Sequence, residues 1–330
     1  MRNRVLVGLG LGISAFFLFQ AFQGLNPQAF LAGLARVNLL AVLVGALVFF
    51  VSVVLIAWRW QFFLNPVKRL PIGVLTGLVC VGYMGNNVYP LRAGEALRVF
   101  LLQRRYGVPI VRSTTTIIIE RIFDGAVMLA FILVGLAFAP LESPVLDVAL
   151  RVGLPVFGAG LAGFFAVAVL PTQARQLAGV FVRFLPVRVG EVLLRLLDDV
   201  LVGLGALQHP LQLAGVTLAS FASWLVGAVV YWLIFYAFGL ELSFAVALLV
   251  VGAVNLAGLI PASPGQFGVY EYVTSTILMA FGIAQETALS YAIVVHLTIW
   301  LPVTLAGFGL LAWYGLGLGA VAQARTLAHE

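Results

Sequence analysis

Long apolar runs alternate with short polar breaks along the whole chain. Apolar residues dominate 5–22, 39–62, 111–138, 148–170, 211–238 and 287–313. Each is close to the length of about 20 residues that carries an α-helix across a bilayer. Two further runs behave differently. The first, 72–85, gives way to Asn86-Asn87-Val88-Tyr89-Pro90-Leu91-Arg92 and resumes as the amphipathic 93–105. The second, 244–260, breaks at Pro261-Ala262-Ser263-Pro264-Gly265-Gln266-Phe267-Gly268 and resumes over 269–281. Proline cannot donate a backbone hydrogen bond, and glycine accepts angles that other residues avoid. Broken helices at membrane depth are tolerated only inside protein or along a wet cavity. At about 1.5 Å per residue, the 72–85 limb also falls short of a hydrocarbon core about 30 Å thick. Both runs are therefore read as re-entrant, hairpin A over 72–106 and hairpin B over 243–284; the alternative, a full pair of spans in each, leaves the sides of the loops unchanged.

The pattern predicts an all-α polytopic membrane protein, one membrane domain over 1–330, with about six full spans and two re-entrant broken-helix hairpins, eight apolar segments by hydropathy. Asn26-Pro27 ends the first span, and 27–37 reads as a short interfacial helix. Each half, 1–140 and 148–315, runs span, span, broken hairpin, span, so an odd number of crossings inverts the second half relative to the first. Asn87, Pro90 and Gly94 recur in the same order as Asn255, Pro261 and Gly265. Inverted repeats whose discontinuous helices meet near the midplane are a common transporter build.

Composition agrees: 63% of the 330 residues are hydrophobic and 9% charged, with mean hydropathy +1.13. The net charge of +6 comes from arginines in short loops, with Lys68 the one lysine. Such loops fit an anionic membrane face, not nucleic acid. With the N-terminus inside, Arg2, Arg4, Arg59–Arg69, Arg104–Arg112, Arg175–Arg195 and Arg325 fall in the cytoplasm, as do both termini. Glu142, Asp147, Glu241 and Glu286 fall outside, and only Arg36 is misplaced. This is the topology of a cytoplasmic-membrane protein. The first run also looks like a signal peptide, but it lacks a small-x-small cleavage site and is read as retained. Trp58-Arg59-Trp60 reads as a membrane boundary. The 171–210 segment, with Arg175, Arg183, Arg188, Arg195 and Asp198-Asp199, reads as one or two amphipathic helices on the cytoplasmic membrane face. Cys80 is the single cysteine, so no intrachain disulfide can form.

Ionisable residues inside a membrane default to function. Arg92, Glu95 and Arg98 come first, because Glu95 and Arg98 share a helix face and guanidinium forks fit phosphate oxygens. The alternative is a structural salt bridge. Glu120, Arg121 and Asp124 sit on one turn of a span. They would complete a headgroup site or move protons, or else lock the span to hairpin A. In hairpin B, half-helix N-termini suit an anion, with Glu271 as a cap or anchor, and a bare turn as the alternative. His296 is a buried core histidine or a proton-coupling one. Zinc would need further ligands, and none is spaced for it. No G-x-x-x-x-G-K-[ST], H-E-x-x-H or G-x-S-x-G is present, so neither metal nor other cofactor is expected, and no enzyme activity.

Taken in order, Asn87-x-x-Pro90…Arg92-Ala93-Gly94-Glu95-x-x-Arg98, Glu120-Arg121-x-x-Asp124 and Pro261-x-x-Pro264-Gly265-x-x-Gly268-x-x-Glu271 resemble the lysylphosphatidylglycerol synthase transmembrane region family. The resemblance covers roughly residues 5–315. It implies translocation of a lipid across the cytoplasmic membrane, with aminoacylated phosphatidylglycerol, polyprenyl- or dolichol-linked glycans and hopanoids as the lipid classes. Two positions depart from the family pattern: Gln266 follows Gly265 where Gly-Gly is usual, and His296 stands where Arg is common. The soluble aminoacyltransferase domain of fused members is missing from this sequence.

The expectation is a flippase or scramblase for a phosphate-bearing lipid. Arg92, Arg98 and Arg121 would hold the phosphate, and Glu95, Glu120 and Asp124 would balance them. Asn87 and Asn255 would line the tips, and Gly94, Gly265 and Gly268 would let backbone approach the headgroup. Rival readings are a scaffold that docks a separate lipid synthase through 171–210, and a membrane-embedded lipid transferase. Oligomers are compatible with either.

Overall fold

The computed structural model describes residues 2–65, 67–90, 93–139, 170–204 and 210–315, with a few helical residues between 155 and 166. Every regular element among them is a helix. Leu91 and Arg92, the loop expected at 140–147, most of the span expected at 148–170 and the tail with Arg325 lie outside the described residues, as do the side chains of Arg188 and Arg195.

Asparagine punctuates the N-terminal third. Asn26 Oδ1 accepts from the N–H groups of Gln28 and Ala29, capping α2 (Pro27–Ala35) after α1 (Arg2–Phe22). Proline at the first helical position suits this start, and the chain turns by 91° between the two helices. Asn38 caps α3 (Leu39–Leu64) the same way and donates its own N–H to the Ala237 carbonyl at 3.0 Å. This ties α3 to the end of α9 (Pro210–Ala237), with which it forms the central helix pair. Ser52 Oγ donates to the Ser223 carbonyl at 2.9 Å across that pair.

Hairpin A consists of α4 (Ile72–Val88) and α5 (Ala93–Tyr106). Its limbs meet through bare backbone. A methyl group on Gly94 would lie 1.8 Å from the Gly82 carbonyl oxygen, and one on Gly85 would lie 2.5 Å from Gly94 Cα. Asn86 Oδ1 closes the turn by accepting the Gly94 N–H at 2.9 Å. Gly94 is thus taken up by contact between the limbs. Then comes α6 (Ile110–Phe138), with Glu120, Arg121 and Asp124 along its length.

The expected amphipathic segment is a pair of helices, α7 (Pro171–Val182) and α8 (Val187–Leu204), with α8 packed on α6. Arg175 holds Asp198 through two hydrogen bonds of 2.5 and 2.9 Å. That contact lowers the Asp198 carboxyl below its ordinary range.

Hairpin B follows α9 as α10 (Phe244–Ala257), a 3-10 turn at Pro264–Gln266, and α11 (Val269–Ala280). Its break contains three left-handed residues: Gly265 at φ 71°, Gln266 at 61° and Gly268 at 94°. A Cβ on Gly268 would lie 2.4 Å from the Ser14 carbonyl, so α1 presses directly on this turn. The last helix is α12 (Gln285–Trp313).

The hairpins pack reciprocally. α4 lies on α12, which follows hairpin B, and α10 lies on α6, which follows hairpin A. Glycines let both pairs approach closely. A Cβ on Gly307 of α12 would lie 2.7 Å from the Cys80 carbonyl, and one on Gly252 of α10 would lie 2.8 Å from the Met128 carbonyl. Small residues are the usual means of close helix packing in membranes. One apolar core, around Trp60, Leu78 and Leu101, lies under hairpin A. The other, around Phe235, Val250 and Tyr291, lies under hairpin B.

By length and composition, α3, residues 211–237 of α9 and α12 can each cross a membrane, and the bent α1–α2 pair adds a fourth candidate. Leu39, Leu43, Leu47 and Leu218 are exposed, as a lipid-facing surface requires. The chain is a helical membrane protein.

Candidate functional site

The two helix breaks open onto one cavity of about 580 Å³. Hairpin A contributes Asn86, Asn87, Tyr89 and Pro90, and hairpin B contributes Asn255, Gly258 and Pro261–Gln266. Tyr83, Trp224, Tyr231, Tyr270 and Trp300 give it aromatic walls. Among the described residues the charged or titrating groups on its wall, tyrosines aside, are Glu95, Arg121 and His296.

A lock of charges stands behind the Arg121 side. Arg98 from α5 grips both Glu120 oxygens, at 3.0 and 3.1 Å, and its guanidinium lies 3.9 Å from the Trp60 ring centre. Arg59 from α3 reaches Asp124 at 2.5 Å and Glu120 at 3.5 Å. Trp224 and Ser220 of α9 complete it: the indole N–H donates to Asp124 at 2.7 Å, and Arg59 donates to the Ser220 hydroxyl at 3.3 Å. Arg59, Arg98, Glu120 and Asp124 are all buried. Two arginines against two carboxylates leave this inner set neutral, which such burial demands.

Arg121 and Glu95 form an outer pair. Arg121 also contacts Glu120 and reaches Asp124 at 3.2 Å, but its side chain is 38% exposed, and Glu95, 4.0 Å away, is 28% exposed. Arg121 Nε and Glu95 Oε1 have no hydrogen-bond partner among the described residues. Arg121 is therefore the arginine of the cluster that can meet a ligand without dismantling the lock.

Hairpin B has a smaller polar centre. Glu271 accepts the Gly268 N–H at 2.6 Å with one oxygen and meets His296 Nδ1 at 2.6 Å with the other. Tyr270 stacks on the imidazole, and its hydroxyl donates to Tyr231 at 2.7 Å.

The structure thus brings Asn87, Glu95, Arg121, Asn255, Gly265 and His296 to one cavity. It sets Arg98, Glu120 and Asp124 behind the wall and commits Gly268 to α1. Asn87 also donates to the Thr304 hydroxyl at 2.8 Å, joining tip A to α12. Gly265 lies against the Trp300 indole. Arg92 is outside the described residues. The sequence pattern marks Arg59 as a boundary residue and singles out none of Asn86, Trp224 and Trp300 as site residues. An arginine late in an otherwise apolar helix was the available signal for Arg59. The described residues contain no group of three or more side chains able to hold a metal ion.

The sequence model of the lysylphosphatidylglycerol synthase TM region matches residues 5–307. Similar proteins include the glycosyltransferase AglD of Haloferax volcanii, 25% identical over 89% of this chain, which spans 52% of AglD's length. A UPF0104 membrane protein of Methanothermobacter thermautotrophicus is 24% identical over 76% of both chains. Another from Pyrococcus horikoshii is 24% identical over 93% of this chain and 96% of its own. With a helical membrane fold, two broken hairpins and a match over most of its length, the chain belongs to the lysylphosphatidylglycerol synthase transmembrane region family.

Proposed function

We propose that the chain is a flippase or scramblase of the cytoplasmic membrane, passing a phosphate-bearing lipid headgroup through the cavity between the hairpin tips. The observation that carries this reading is the cavity itself, where Pro90 and Pro261 from breaks far apart in sequence face the same space beside Arg121. Its volume, about 580 Å³, is headgroup-sized, within the range of about 300–1,000 Å³ usual for small-ligand sites. Leu259 and Ile260 line it and are also exposed, an apolar rim along which lipid tails can stay in the bilayer. Arg121 offers paired donors to phosphate oxygens, Glu95 releases it, and Asn86, Asn87 and Asn255 serve the polar remainder. In this reading the two halves are inverted repeats with both termini cytoplasmic, the reciprocal packing of α4 on α12 and α10 on α6 supports the symmetry, and the chain is not an enzyme.

Lipid-headgroup accessibility in reconstituted vesicles tests the proposal. Labelled phospholipid should equilibrate between leaflets faster with the wild type, and Arg121→Gln should slow it about tenfold or more, the scale of a lost charge-assisted contact. No acceleration over empty vesicles would overturn it. A second reading, a membrane partner for a separate lipid synthase, is favoured by α7–α8, whose Phe181 and Phe184 are exposed beside arginines. It predicts inertness in the same vesicles. The AglD name suggests a transferase, which predicts product formation on a lipid carrier.

A further inference from the structure

His296 has one nitrogen committed and one left over. Nδ1 is held by Glu271 at 2.6 Å, and Nε2 has no hydrogen-bond partner among the described residues. The ring cannot easily turn. Tyr270 stacks on it at 4.0 Å and 16°, and the Phe267 ring lies 4.7 Å away. Glu271 is equally fixed, because the Gly268 N–H takes its second oxygen. The imidazole nevertheless lines the cavity. An oriented imidazole, braced by a buried carboxylate and placed on the wall of a cavity shared with Asn87, Asn255 and Arg121, is more than packing requires.

The surroundings decide its charge. Helices α2 and α10 contain no ionisable residue, α1 contains only Arg2 and Arg4, and the one such residue of α3, Arg59, is bound to Asp124. Helix α4 presents Cys80 and Tyr83, α9 presents Tyr231 and Tyr236, α11 adds Tyr270 and Tyr272, and α12 itself adds Tyr291 and Glu286, the latter at its far end beside Asn26. The same cavity is lined by Arg121 and Glu95. No described arginine or lysine pairs with Glu271. A carboxylate buried without a counter-charge is costly, and a proton on the imidazole would supply that counter-charge. With that proton on the ring, Nε2–H is a charged donor, suited to a phosphate oxygen. Without it the pair is a net negative charge, which repels phosphate.

We infer that His296, oriented by Glu271, is a second phosphate-binding group of the cavity in addition to Arg121, and that it binds phosphate only in its protonated form. A phosphate ester and a proton then occupy the cavity together. The inference rests on the flippase reading and adds a proton to it.

The test is binding of a short-chain fluorescent phosphatidylglycerol to the purified full chain, from about pH 5 to 8, where histidine ordinarily exchanges its proton. Wild-type affinity should fall about tenfold or more across that range. His296→Arg, with a fixed charge, should bind tightly at every pH, and His296→Gln weakly at every pH. Displacement by inorganic phosphate supports a site for phosphate as such, and its failure supports one that also needs the lipid. A wild-type slope retained in both His296 variants, with binding still abolished by Arg121→Gln, overturns this inference and leaves the flippase reading intact. Absence of binding at any pH overturns both.

Discussion

Arg98 on α5 reaches Glu120 on α6, and Glu271 on α11 reaches His296 on α12. In both hairpins the second limb is therefore bonded, through an ionisable residue near its start, to the long helix that follows. The difference lies in the partners. Hairpin A uses arginines, whose charge does not titrate in the physiological range, and embeds them in a set shared by four helices: α3, α5, α6 and α9. Hairpin B uses a single carboxylate and an imidazole, which can lose its charge. One contact is a permanent ion pair and the other is an ion pair only when the imidazole is protonated, although the backbone plan is the same. In this arrangement the chemistry of a broken helix follows from its counter-ion more than from its break.

The largest expected effects come from unbalancing each side. Glu120→Ala leaves Arg98 buried without a carboxylate, although Arg59 keeps Asp124, and should cost about 3–5 kcal/mol, read from thermal unfolding in detergent. Glu271→Gln should cost only about 1–3 kcal/mol, because His296 can become neutral. Equal losses would break the contrast between the hairpins. Gly94→Ala comes next. Its methyl group would collide with the Gly82 carbonyl, and an overpacked backbone contact of this kind should cost about 1–3 kcal/mol or more and lower folded yield. Arg121→Gln should change stability by less than about 1–2 kcal/mol while slowing lipid transfer about tenfold or more, since the inner lock stays neutral without it. Gln266→Gly should raise stability by about 1 kcal/mol, because a left-handed residue with a Cβ is strained. The smallest effect concerns α7–α8. Asp198 titrates below its ordinary range in the folded chain, so its pair with Arg175 contributes above the ordinary carboxylate pKa and is lost as pH falls through the lowered value. Faster amide exchange in α7 only under acid, below about pH 4, checks the sign.

Both hairpins could be read from the sequence because proline and glycine clusters interrupt the apolar runs, and in hairpin A the first limb is too short to cross. The limb ends agree closely: 72–85 was expected where α4 runs Ile72–Val88, and 269–281 where α11 runs Val269–Ala280. The charged residues of α6 were visible for the same reason, since any charge stands out in an apolar span. Their division of labour was not visible. Arg98 and Arg121 look equivalent in sequence, yet one is sealed against Glu120 and Trp60 while the other faces the cavity. Arg59 looked like an interfacial residue because tryptophans flank it. Trp60 instead donates to the Thr116 hydroxyl at 3.0 Å, deep beside the lock. Gly94 looked like a ligand contact, and it is where two limbs touch.

The sequence alone determined that the chain is helical and membrane-bound and that its helices break in two places. These properties depend on local hydrophobicity and on backbone donors that proline removes. Tertiary structure decided that Pro90 and Pro261 share one cavity, that Glu271 has a histidine rather than an arginine as partner, and which arginine faces that space. Those outcomes depend on how the α4–α12 and α6–α10 pairs pack, with partners more than a hundred residues apart in the chain. No local pattern encodes that distance, because burial and charge pairing are settled only when all the helices are in place.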